Sequence, residues 1–141
     1  MKIEIVGYNS QIPAYALPGD AGMDLRAAET VLIGPGERAL IPTGIRLGLP
    51  EGVVALVHPR SGLALKHGIT VLNAPGTIDS NYRGEIGVIL HNASGDWFDV
   101  DKGDRIAQLV FQQVLTVEFE QVDTLSESVR GVAGFGSTGE K

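Results

Sequence analysis

Apolar and polar side chains alternate with a period of two in six short stretches, at residues 3–6, 30–33, 52–57, 85–90, 106–111 and 114–119. A strand sends successive side chains to opposite faces, so each stretch predicts a half-buried β-strand. Turn-forming clusters separate them: Leu17-Pro18-Gly19-Asp20, Gly34-Pro35-Gly36, Pro50-Glu51-Gly52, Ala74-Pro75-Gly76 and Asn92-Ala93-Ser94-Gly95. Short strands at this spacing predict an all-β sandwich or barrel-like architecture. One stretch reads as helix: Ser61 is placed to N-cap a short turn through Leu63, Ala64, Leu65 and Lys66, which Gly68 ends. From about residue 126 the alternation lapses, and residues 130–139 (RGVAGFGSTG) hold four Gly in ten. The expected organisation is therefore one β domain over residues 1–125 and a glycine-rich C-terminal arm over residues 126–141, flexible until something orders it.

Composition narrows this picture. The 141 residues suit a single domain, and hydrophobic (43%) and charged (20%) residues are in ordinary proportion. The 19 Gly are well above average usage and call for local explanations. With no Cys there is no disulfide, zinc-thiolate site or thiol nucleophile, and His58, His67 and His91 are too scattered for a metal motif. The opening MKIEIVGY lacks the apolar run of a signal peptide, and no stretch approaches the roughly 20 residues of a membrane span, so a cytoplasmic protein is expected. A net charge of −6 without a basic cluster disfavours nucleic acid and anionic membranes as partners. An anionic ligand would have to be captured locally, by backbone N–H groups, placed arginines or a bound cation.

Three segments carry candidate chemistry. Arg60 and Ser61, at the start of the expected helix, can seat a phosphate against unpaired N–H groups, although taken alone an N-cap beside a surface arginine is the plainer account. Residues 73–84 (NAPGTIDSNYRG) hold one carboxylate, Asp79, and one aromatic, Tyr82. Three apart in a strand, they face opposite sides, so they can share a pocket only if Ser80-Asn81 bends the chain; an Asx turn with a packing tyrosine is the plainer account. The tail GFGSTGEK (134–141) has Glu140 where a P-loop needs Lys, so it is no Walker motif, yet Gly lets its amides approach a polyphosphate closely. Asp24 and Gln108 are polar residues among apolar ones; a carboxylate near phosphates makes sense mainly with a hard cation such as magnesium between them.

Together these segments resemble the trimeric dUTPase family. Its five motifs find counterparts in order: AGMDLRA at 21–27, PRSG at 59–62, NAPGTIDSNYRG at 73–84, GDRIAQL at 103–109 and the arm at 130–139. The resemblance implies a jelly-roll-like β-barrel forming a homotrimer, each active site built from motifs of all three chains and closed by the arm. It implies Mg2+-dependent hydrolysis of dUTP to dUMP and pyrophosphate, an activity that keeps uracil out of DNA and supplies dUMP for thymidylate synthesis. Asp79 would activate the attacking water, and Tyr82 would stack on the deoxyribose and exclude a 2'-hydroxyl. Asn73 and the backbone of Gly76, Thr77 and Ile78 would read uracil. Arg60, Ser61, Gly62 and Gln108 would hold phosphates, and Asp24 would anchor magnesium through water. From the arm, Arg130, Gly136, Ser137 and Thr138 would grip the terminal phosphates while Phe135 covered the base. Ala133 stands where family members often carry Gly.

Two rival readings share the fold. A dCTP deaminase, or a bifunctional deaminase-dUTPase, would need a glutamate further along the third motif, for which Glu85 is the nearby candidate. A non-catalytic nucleotide-binding homologue would be favoured by a missing base or arm, whereas Asp79, Tyr82 and the arm are all present.

Overall fold

A computed structural model describes residues 1–8 and 11–134. Eleven strands and one helix follow in chain order: β1 (Glu4–Val6), β2 (Gly22–Arg26), β3 (Val31–Ile33), β4 (Arg38–Pro42), β5 (Arg46–Gly48), β6 (Val53–His58), α1 (Ser61–His67), β7 (Ile69–Val71), β8 (Gly76–Ile78), β9 (Gly87–Asn92), β10 (Phe98–Val100) and β11 (Arg105–Gln113). A four-stranded sheet in the order β2-β11-β6-β8 and a three-stranded sheet in the order β4-β9-β7 carry most of the structure, with β1-β5 and β10-β3 as two-stranded ribbons. All pairings are antiparallel. Inward residues of both larger sheets merge into one apolar core: Leu25, Val57, Ala107 and Leu109 from the first, Ile41, Ile69, Val88 and Leu90 from the second. This mostly β, jelly-roll-like arrangement agrees with the alternation in the sequence, and its sheets stay open among the described residues.

The turns fall where glycine and proline mark them. Gly19, Gly36 and Gly52 all have positive φ, and Glu37 N–H to Gly34 O and Val53 N–H to Pro50 O close two of these turns. At residues 92–95 the Asn92 side chain supplies the turn: its amide donates to Ile33 O and Asp96 O while its Oδ1 accepts from Ser94, so a fully buried polar residue is satisfied.

Two expectations are corrected. Ser61 is the first helical residue rather than the cap; Arg60 occupies the N-cap position with extended backbone, and no side chain caps the helix. Gly68 does end it, in the left-handed conformation at φ 66°. Residues 114–119 form no strand, and Leu115, Val117 and Phe119 stand exposed. Alternation makes a segment competent to pair, but after the Val114 N–H bond to Gly52 O at 3.0 Å this one joins no ladder among the described residues.

Candidate active site

Strand pairing assembles a first cluster from three distant segments. Asp24 on β2 lies opposite Gln108 on β11, which lies opposite His58 at the end of β6. The chain leaves β6 directly into Pro59, Arg60 and the start of α1, bringing the 59–62 segment alongside. The Asp24 carboxylate takes Arg60 Nε at 2.8 Å on one oxygen and Arg105 at 3.2 Å on the other. Arg60 also donates to Arg105 O at 3.0 Å, and Gln108 Nε2 donates to Pro59 O at 3.0 Å. Ser61 and Gly62 stand exposed beside this network, and a Cβ at Gly62 would meet only open space.

Two backbone details make the cluster possible. The β2–β11 register slips between Arg105 and Ala107. In a regular strand Arg105 would share the buried face of Ala107 and Leu109; the bulge buries both Ile106 and Ala107 and turns Arg105 to the face that carries Asp24. Gly22 is the second device, because a Cβ there would run into the side-chain carbonyl of Gln108.

The second cluster lines a cleft of about 210 Å3 whose wall includes Asn73, Gly76, Thr77, Ile78, Asp79, Tyr82 and Glu85. Gly76 and Ile78 are held by β8 against β6. A Cβ at Gly76 would press 3.3 Å from Val57 Cβ and 3.4 Å from Asn73 Nδ2, so the missing side chain keeps this wall open. Ser80 and Asn81 form the bend that the Asp79–Tyr82 spacing required, closed by Tyr82 N–H to Asp79 O at 3.1 Å, and both Asp79 and Tyr82 reach the cleft. Asp79 is exposed, with no ion pair among the described residues.

The sequence-derived site residues are thus placed in two separate groups. None of Asp24, Arg60 or Gln108 lines the cleft of Asp79 and Tyr82. Arg130 lies on an exposed turn closed by Ala133 N–H to Arg130 O and pairs with neither group among the described residues. Phe135, Gly136, Ser137 and Thr138 lie outside the described residues. Arg105 and Glu85 belong to the two groups although sequence reasoning gave Arg105 no role and named Glu85 only as a deaminase candidate. Arg105 meets Asp24 across 81 residues of chain, a separation no local pattern reports. Among the described residues no group of three or more His, Cys, Asp or Glu is placed to hold a metal ion.

An antiparallel β-sandwich with arginine, carboxamide and carboxylate groups at one station, and an open cleft with a carboxylate and an aromatic ring at another, has the chemistry of a nucleotide-binding protein: cationic and amide donors for phosphates, a ring-sized recess for a base or sugar. The particular family follows from comparison. A dUTPase family model matches residues 8–139, and the chain belongs to the dUTPase family. The deoxyuridine 5'-triphosphate nucleotidohydrolase of Clostridium tetani is 54% identical over 99% of this chain and 97% of its own. The fold is similar to that of the Staphylococcus bacteriophage 80alpha dUTPase with dUpNHpp, at a TM-score of 0.90 and 30% identity over 98% of both chains. It is also similar to a mutant dUTPase from the Staphylococcus aureus phage phi11, whose structure concerns the coordination of a structural Mg(II) ion, at a TM-score of 0.81 and 27% identity over 88% of this chain and 98% of that one.

Proposed function

We propose that this protein is an enzyme hydrolysing dUTP to dUMP and pyrophosphate, with the two clusters binding opposite ends of the nucleotide. The observation that carries the reading is the cleft, where an unpaired carboxylate and an aromatic ring are bent together beside an opened backbone strand. Asn73 and the edge of β8 read uracil: amide groups and strand N–H and C=O atoms match its O4 acceptor and N3–H donor. Tyr82 packs on the deoxyribose. Asp79, exposed and free of a salt bridge among the described residues, takes the proton of the water that attacks the α-phosphorus. Arg60, Gln108 and the N–H groups at Ser61 and Gly62 neutralise and orient the phosphates. Attack on a highly charged triphosphate needs positioning and charge neutralisation more than covalent chemistry, and these donors supply both.

Magnesium fits this donor set as a companion of the triphosphate. Asp24 is one carboxylate whose oxygens each already accept an arginine, which leaves lone pairs for hydrated metal but not for a cage made of protein groups alone. When bound, the ion supplies charge neutralisation at the phosphates, and Asp24 holds it through water.

The separation of the two clusters supports a homotrimer whose sites are shared between chains, because within one chain none of Asp24, Arg60 and Gln108 lines the cleft of Asp79 and Tyr82. The exposed apolar residues Leu115, Val117 and Phe119 support the same assembly, since they need cover that the described residues of one chain do not provide. Residues 126–141 act as the arm, with Arg130, Gly136, Ser137 and Thr138 on the terminal phosphates and Phe135 over the base. Deamination is not favoured: the Glu85 carboxylate that it would use accepts the Gly44 N–H at 2.8 Å. Incubation with magnesium and each of dUTP, dCTP, UTP and dTTP, with pyrophosphate and ammonia measured separately, tests the reading. Pyrophosphate from dUTP alone is expected, and ammonia from dCTP would overturn it.

A further inference from the structure

Between β8 and β9 the Tyr82 side chain folds back over its own loop. Its hydroxyl donates to Glu85 O at 2.9 Å, and the ring lies where a side chain at position 84 would be. A Cβ on Gly84 would come within 2.9 Å of Tyr82 Cε2 and closer still to Cζ and the phenol oxygen. The φ of Gly84 is outside the left-handed region, unlike that of Gly44 at 71°, so alanine carries no left-handed strain there, and the three atoms nearest its Cβ all belong to the tyrosine.

The carbonyl that receives the phenol is itself anchored. Residues 43–45 join β4 to β5 and grip Glu85 and Ile86 of the loop. Thr43 N–H and Oγ1 donate to Ile86 O at 3.2 and 2.6 Å, Ile86 N–H donates to Ile45 O at 2.9 Å, and Gly44 N–H donates to the Glu85 carboxylate. Thr43 and Ile86 are buried, so the bonds between them are shielded from competing water, whereas the Gly44–Glu85 bond is exposed. A half-exposed tyrosine thereby lies in the room that the missing side chain leaves, and is held at its hydroxyl by a carbonyl fixed to the neighbouring sheet.

We infer that Gly84, together with the Thr43–Gly44 connection acting through Glu85 and Ile86, positions the Tyr82 ring and so sets the preference for deoxyribose over ribose. This rests on the reading of Tyr82 as the residue that packs on the sugar. An aromatic ring excludes a single hydroxyl only if it cannot move by the width of that hydroxyl. Displaced by a side chain at position 84, or freed from the Glu85 carbonyl, the ring would shift, and a 2'-hydroxyl would enter.

The test measures kcat/KM for dUTP and UTP, with UTP also taken as a competitive inhibitor, in the full-length wild type, Tyr82→Ala, Gly84→Ala and the double variant, with melting temperatures alongside. Gly84→Ala should lower the dUTP-to-UTP ratio about tenfold, the scale on which small steric differences discriminate between substrates. In the Tyr82→Ala background the same substitution should have no further effect, since Gly84 acts through the ring. If Tyr82→Ala leaves the ratio unchanged, the sugar-packing role of Tyr82 fails. If Tyr82→Ala collapses the ratio while Gly84→Ala does not move it, or moves it equally without the ring, the positioning inference fails. Thr43→Val should also lower the ratio and Thr43→Ser, which keeps the hydroxyl, should restore it; a fall in melting temperature with an unmoved ratio would reduce Thr43 to a purely structural role.

Discussion

Replacing Asp24 by Asn keeps the shape of the side chain and removes the charge that two arginines share. The Asp24 and Arg60 side chains retain 27% and 25% of their exposure, which puts the pair between exposed ion pairs, worth about 0.2–1 kcal/mol, and buried ones, whose breakage costs about 3–5 kcal/mol. The Arg105 contact is longer, at 3.2 Å, and its side chain is half exposed, so it adds little. The asparagine still accepts a hydrogen bond, which limits the loss to about 1–2 kcal/mol. For a chain of this size that is a fall of about 3–6 °C in melting temperature. Scanning calorimetry at one fixed protein concentration, at low salt and at about 1 M salt, is the assay, because an oligomer's apparent stability depends on concentration. Added salt should shrink the difference only in part, since most of the pair is shielded from solvent. A variant melting within about 1 °C of the wild type at low salt would refute the reasoning, for the pair would then carry no net stability. If Asp24 also anchors magnesium, the variant should need more magnesium for half-maximal activity.

Three other outcomes are expected. Asp79→Asn should bind nucleotide almost as well as the wild type in calorimetric titration while turnover falls by about 10²–10⁴-fold, the usual contribution of a general base; near-normal turnover would remove that assignment. A chain ending before Arg130 should lose most of its hydrolysis rate with little change in melting temperature, because residues 126–134 bury nothing among the described residues; unchanged kinetics would take the arm out of the mechanism. Gly22→Ala should displace the Gln108 side chain and break its bond to Pro59 O, costing about 0.5–1.5 kcal/mol and raising KM for dUTP; an unaltered KM would argue against Gln108 as a phosphate ligand.

The β character was legible wherever polar and apolar residues alternate between glycine and proline turns. Six strands escaped notice: β5, β7, β8 and β10 have three residues each, too few to show a period of two without a longer patterned flank, and the five-residue β2 and β4 went unread as well. The bulge in β11 falls inside a stretch read as alternating although Ile106 and Ala107 are adjacent apolar residues, and which face Arg105 took was open until β2 was paired beside it. Asp79 and Tyr82 can meet only if Ser80-Asn81 bends the chain, which turn propensity favours, and the Tyr82 N–H bond to Asp79 O closes that bend.

The sequence by itself determined which residues could do chemistry, because side-chain type is local: carboxylates at 24 and 79, arginines at 60 and 130, a tyrosine at 82 and a glycine-rich end. It also determined where the chain turns, since φ is restricted residue by residue at proline and freed at glycine. Only the tertiary structure decided which of these residues meet. Asp24 finds Arg60 and Arg105 through the register of three strands, and the bulge decides the side on which they meet. Gly84 and Thr43 gain their meaning from a tyrosine ring and a carbonyl that they touch only in the folded chain. Contacts between residues far apart in sequence depend on register and packing, which are properties of the whole fold and leave no local signature.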